Sequence, residues 1–291
     1  MARMARAALL SVFLLALSPA GVHGTVHKET VGDDGSGWKS WRRTWKRSSD
    51  SRKVPPEGYY NPLLAGGSLL TKIPVTYPMG QGEPLNTIIT GNSDPRVLKD
   101  IETDGGLRNY FLSLGFSGEC LGQNAGSQQA ADLGDGNGYK NQTAVIRWNY
   151  GDPQLGACKE TIEGGNHFRY WVQDGPTGNS GAIFLAVSYE MPLIQQHDIV
   201  PNGYNLGRDW LVGNITQSFI PTKNLTNTTT YSGTTSWAEW IYHTDIKYVS
   251  GLLEDTNDAI NHNITVGVDG NSVDGLVAVM DVQIIGSPKK S

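Results

Sequence analysis

The chain has 291 residues, 38% of them hydrophobic and 18% charged, with a formal net charge of −5. That length suits one large or two small domains, and the composition excludes a chain too polar to build a core. Beyond the first twenty residues no apolar run is long enough to span a membrane, and 36 glycines point to many turns.

The N-terminus reads as an address. Met1–Arg6 is positive, 7–17 is apolar, and Ser18-Pro-Ala20 and Val22-His-Gly24 offer small residues for cleavage. This is the order of a secretory signal peptide over 1–24. Secretion sets how later features are read. Asn141, Asn214, Asn224, Asn227 and Asn263 each open an Asn-X-Thr acceptor with no proline in the middle, so an extracellular N-glycoprotein is expected. The two cysteines, Cys120 and Cys158, are expected to form one disulfide in an oxidising compartment. By loop closure it would stabilise by roughly 3–4 kcal/mol.

Residues 25–58 differ in composition from the rest of the chain. From Thr25 to Lys53 there are eight Lys/Arg against four acids, a balance of +4. Trp38, Trp41 and Trp45 recur on one face of a helix. The segment reads as a linker, or as a propeptide cut after Lys46-Arg47; a third reading places the three tryptophans on an anionic membrane surface. From Val54 onward, 13 Lys/Arg minus 24 Asp/Glu leaves −11, which argues against a nucleic-acid partner.

Pro55-Pro56 through Pro62 is an extended arm. Leu85–Thr90 is β-branched and predicts a strand. Asp94-Pro95 predicts a helix over Arg96–Glu102, and the spacing of Leu107, Tyr110, Phe111 and Leu114 predicts another over 106–114. Gly122–Lys140 reads as loop. Within it Asp132, Asp135 and Asn137 offer oxygen ligands of the calcium-loop type, but their spacing fits no EF-hand, so a glycine-rich turn is the reading. Strands come next at 143–150, at Asn166–Gln173 and at Gly181–Glu190, its hairpin partner. Tyr204–Val212 is helical, 214–233 an exposed Thr- and Asn-rich loop, and 238–249, 263–268 and 276–285 are strands. The sum is α+β: a mostly antiparallel sheet with a few helices packed on it, as one compact domain over 59–286 with a tail at 287–291.

The most informative stretch is Gly164–Trp210. Strand alternation puts His167, Arg169 and Trp171 on one face and Phe168, Tyr170 and Val172 on the other. His197-Asp198 and Arg208-Asp209 lie further along it.

The segments G-E-P-L-N-T-I-I-T-G (82–91), N-H-F-R-Y-W (166–171), A-I-F-L-A-V-S (182–188), H-D-I-V-P-N-G-Y-N-L-G-R-D (197–209) and V-D-G-L-V-A-V (273–279) together resemble the LssY C-terminal-like domains, in their secreted fungal, uncharacterised branch. The resemblance spans about 74–286 and implies the fold and the site positions, with no established activity. Two departures stand out. The family's His-His is Asn166-His167 here, and its paired acids before Arg-Asp are Leu206-Gly207.

His167, Arg169, His197, Arg208 and Asp209 admit three readings. Two arginines and a histidine suit hydrolysis or phosphate binding. His167, His197 and Asp209 form a two-histidine, one-carboxylate metal set. Alternatively, Arg169 pairs with Asp198 or Asp209 and the histidines are buried structural groups. The expectation is a non-catalytic extracellular binding or cell-surface domain without a cofactor; the alternative is a hydrolase or phosphate-binding protein using the five residues.

Overall fold

The two longest strands run either side of a two-residue turn, and the rest of the sheet grows outward from them. The computed structural model describes residues 52–122 and 127–289; the signal-peptide segment and Trp38, Trp41 and Trp45 lie outside the described residues. In chain order the first half holds β1 (Thr87–Ile89), α1 (Leu107–Ser113), β2 (Phe116–Gly118), β3 (Ala130–Asp132), β4 (Tyr139–Asn141), β5 (Ala144–Trp148), α2 (Gly156–Glu163) and β6 (Gly165–Gly175). The second half holds β7 (Gly178–Glu190), α3 (Gly203–Thr216), β8 (Thr230–Trp237), β9 (Trp240–Val249), β10 (Asp255–Thr256), α4 (Asn263–Val266), β11 (Val273–Asp274) and β12 (Val277–Gly286).

Eight strands form one curled sheet in the order β2-β5-β6-β7-β1-β12-β9-β8, with β3-β4 and β10-β11 as separate two-stranded ribbons. The β1–β12 pairing is parallel while β1–β7 is antiparallel, so the sheet is mixed. It forms a single compact α+β domain with few helices. The β6–β7 hairpin is tighter than the sequence suggests, turning at Pro176-Thr177. Asp135 fixes that turn. Its carboxylate accepts the backbone N–H groups of Asn137, Asp174 and Gly175, which makes it a staple of the turn. A Cβ on Gly175 would collide with the Asp135 carbonyl.

Both faces of the hairpin are buried, so the alternation does not separate a core face from a solvent face. Phe168, Tyr170, Leu185 and Val187 enter one core with Leu211 and Ile215 of α3. Trp171, Phe184 and Ala186 enter a second core with Ile88, Tyr204 and Val266. Each large apolar side chain so buried stabilises by about 1.5–3 kcal/mol. His167 and Arg169 share the second face and are buried with it, so both must find polar partners.

Helix α3 packs closely on β7 because Gly207 brings its backbone against Ser188; a Cβ there would stand 2.7 Å from the Ser188 carbonyl carbon. Asn86 ties the same junction, its side-chain amide donating to the carbonyls of Val187 and Tyr204.

Four predicted elements differ. The exposed loop expected over 214–233 begins inside α3 and ends inside β8, with Ile215 and Ile220 buried in the core. Residues 96–102 form turns rather than a helix: the Asp94 carboxylate accepts the Arg96 N–H as a cap would, but the Lys99 carbonyl then takes the N–H groups of Ile101 and Leu107 in place of a continuing helical turn. Residues 263–268 hold the short α4 in place of a strand. Ile264 and Val266 would share a strand face, yet Ile264 is 83% exposed and Val266 is buried. The loop expected over 122–140 contains the β3–β4 ribbon.

Candidate functional site

Four elements converge beneath the second core. Register sets Arg147 of β5 opposite His167 of β6, and His167 opposite Ser188 of β7. Such cross-strand neighbours share a face. Glu190 ends β7, and Glu160 is brought in by α2, which the Cys120–Cys158 disulfide anchors to the turn after β2. Arg147 Nη1 lies 2.8 Å from Glu160 Oε2 and 3.2 Å from Glu190 Oε2, and its Nη2 lies 3.5 Å from Glu119. His167 Nε2 is 3.4 Å from Glu190 Oε1, and His197 Nδ1 is 3.5 Å from Glu190 Oε2. Glu190 is therefore the carboxylate that both histidines share.

Charge in this cluster is unevenly satisfied. Burial pushes the Glu160 carboxyl up to about 7, against the pull of Arg147. Burial works against ionisation of Glu190 too, but His197 and Arg147 outweigh it and hold its carboxyl below the usual carboxylate range. Burial lowers His167 to about 3, so its imidazole is neutral at physiological pH. The Glu190 carboxylate, 3.5 Å from Nδ1, raises His197. Ser188 Oγ stands 3.5 Å from Nδ1 and 3.4 Å from Nε2 of His167, too far for a strong bond to either nitrogen. Oε1 of Glu160 is buried with no hydrogen-bond partner.

The other predicted residues lie in separate settings. Arg208 is fully buried and every guanidinium nitrogen is used. Nε and Nη2 donate to Asp209 at 2.7 and 3.1 Å, while Nη1 and Nη2 donate to Asp274 at 2.7 and 2.8 Å. Nη1 also donates to the Leu276 carbonyl, and the Tyr248 hydroxyl donates to Asp209. Asp274 and Asp209 outweigh burial and raise the Arg208 pKa. With its oxygens so engaged, Asp209 is not the carboxylate the two histidines share. Arg169 meets neither Asp198 nor Asp209. It faces Glu83 at 3.9 Å, with Nε and Nη1 unpartnered. Asp198 instead takes His262 at 2.6 Å and the Thr265 hydroxyl.

The residues missed from sequence are Arg147, Glu160, Glu190 and Glu83. A signal for the first was present: an arginine inside the apolar strand T-A-V-I-R-W needs a buried partner. Glu160 lies within α2 and Glu190 ends β7, and nothing in their neighbourhood in sequence marks them.

On the opposite side of β5 and β7 a groove of about 820 Å³ opens, lined by Trp148, Tyr189, Trp210, Leu206 and Phe219 with Asn214 and Gln217 among its polar groups. The ring centroids of Trp148 and Trp210 are 4.7 Å apart and those of Tyr189 and Trp210 5.8 Å, both edge to face. Asp209 is the charged residue of the lining, and Arg208 and Tyr248 already occupy it. Of the glycosylation acceptors, Asn141, Asn224 and Asn227 are exposed. Asn214 lies in α3, half-buried, its Nδ2 donating to the Leu114 carbonyl at 3.2 Å. Asn263 begins α4. Among the described residues no helix is long and apolar enough to cross a membrane.

Compared with protein-family models, with curated proteins and with solved structures, the chain matches none.

Proposed function

We propose that the chain is a secreted, N-glycosylated α+β binding domain of the LssY C-terminal-like type, built on a mostly antiparallel sheet, and that it holds a neutral carbohydrate in the groove beside α3. The observation that carries this reading is the Trp148–Trp210–Tyr189 surface. Its volume falls in the range of small-molecule sites, and it joins aromatic faces to a few amide and hydroxyl groups. Aromatic rings suit a ligand with apolar faces, and the amides suit its hydroxyls. A lining whose charged residue is neutralised by its own partners favours an uncharged ligand. The five residues singled out in the sequence divide among three settings, His167 and His197 beside Glu190, Arg169 against Glu83, and Arg208 with Asp209, which weighs against one reaction centre made from all of them.

The reading is tested by tryptophan fluorescence and calorimetry with a panel of neutral oligosaccharides, with fatty acids as the contrasting panel. Saturable binding of one oligosaccharide class is expected. Trp210→Ala should weaken it at least tenfold, about 1.4 kcal/mol. Binding of fatty acids alone, or of neither panel, overturns it.

A further inference from the structure

Glu160, His167 and Glu190 each offer one donor atom, all within 4.8 Å of one another, and these donors are short of partners. Arg147 holds Oε2 of both glutamates, which leaves the two Oε1 atoms. That of Glu190 stands 3.4 Å from His167 Nε2. That of Glu160 is without a partner on a side chain 0% exposed. A buried carboxylate oxygen left unpaired beside an imidazole nitrogen with no short hydrogen bond is costly, unless something else is meant to fill the gap.

We propose that Glu160, His167 and Glu190 form a binding site for a divalent transition-metal ion of the zinc type, with His197 as the fourth ligand on its open side. Spacing supports this. Ligand atoms at about 2.0–2.2 Å from a tetrahedral zinc stand roughly 3.3 Å apart; the His167–Glu190 pair is already at 3.4 Å. Closing the widest permitted pair requires about 1.5 Å of movement.

Charge supports it independently. Three carboxylates, Glu119, Glu160 and Glu190, surround the single guanidinium of Arg147. Glu160 and Glu190 thus share one guanidinium, and the site holds more acceptor oxygens than donors. The neighbouring Arg169–Glu83 pair sums to zero. Arg147, gripping the far oxygens of both glutamates, acts as the orienting partner such ligands ordinarily have. His197 is held over Glu190 with φ 55, and its Nδ1 lacks a hydrogen-bond partner. Two imidazoles with two carboxylates favour zinc over calcium or magnesium, which prefer all-oxygen sets.

The test takes the full chain, stripped with a chelator, and titrates it with Zn²⁺ against a chromophoric competitor at neutral pH, with Ca²⁺ in parallel. One Zn²⁺ per chain and no competing Ca²⁺ are expected. Glu160→Gln should abolish tight binding. His197→Ala, at the solvent side of the site, should weaken it by about 10–100-fold and remove one imidazole from the X-ray absorption signature of the bound ion. His243→Ala, distant in the fold on β9, should leave binding unchanged. Circular dichroism verifies folding, and if Glu160→Gln does not fold, His197→Ala decides. Substoichiometric uptake of Zn²⁺ overturns the proposal, and so does stoichiometric uptake that survives both variants, which would place the ion elsewhere in the chain.

Discussion

Two buried ionic clusters sit in this domain and differ in completeness. Around Arg208, all three guanidinium nitrogens have acceptors and both Asp209 oxygens have donors. Around Arg147, one guanidinium serves three carboxylates, and Glu160 Oε1 and His197 Nδ1 have no hydrogen-bond partner. A closed network rigidifies a core and has no further chemistry to offer. An open one carries a standing desolvation cost that a ligand or an ion can relieve. The comparison teaches that residue type alone does not mark a site, since both clusters hold arginine and carboxylate. Satisfaction does.

The largest expected effect comes from breaking the closed cluster. Arg208→Ala leaves Asp209 and Asp274 uncompensated and should destabilise by about 3–5 kcal/mol, read by denaturant unfolding, with no dependence on Zn²⁺. Replacing Cys120 and Cys158 by serine should cost roughly 3–4 kcal/mol by loop closure. Because that disulfide anchors α2, it should also weaken Zn²⁺ binding through Glu160.

Glu160→Gln sharpens the contrast by reversing the usual sign. The Glu160 carboxyl is raised to about 7 from 4.5. Its neutral form thus contributes stability fully present below 4.5 and lost as pH rises through 7. Glutamine imitates that neutral form at every pH. In the zinc-free protein the variant should therefore gain on the wild type as pH climbs from 4.5 to 7, by roughly 3 kcal/mol. An unchanged difference across that window would show that Glu160 is not held protonated. The smallest effect belongs to Tyr248→Phe, which removes one donor of several to Asp209 and should cost about 1 kcal/mol.

The α+β class, the central hairpin, α3 and the disulfide pair were legible in the sequence because local signals and tertiary packing agree there. The 106–114 helix has apolar residues at helical spacing, and all four reach a core. The turns at 96–102 were not legible: Asp94 does cap the first turn through the Arg96 N–H, but a tertiary bond from the Leu107 N–H to the Lys99 carbonyl ends it. Of the site, His167 and His197 were visible as residue types. Their shared partner Glu190 and the orienting Arg147 come from β7 and β5, joined only by strand register. No spacing rule connects residues 147, 160, 167 and 190, because the sheet and the disulfide-anchored α2 bring them together. Arg208 and Asp209 misled for the opposite reason. Adjacent in sequence and rich in chemistry, they are fully consumed by each other, Asp274 and Tyr248.

Thermal unfolding of the chelator-stripped chain with and without Zn²⁺, run beside Glu160→Gln and Tyr248→Phe, tests the contrast between the clusters most directly. A ligand that binds only the folded state raises its stability by mass action. The melting temperature should therefore rise with Zn²⁺ in the wild type and in Tyr248→Phe, and stay fixed in Glu160→Gln. An equal rise in Glu160→Gln, or no rise in the wild type, would contradict the account.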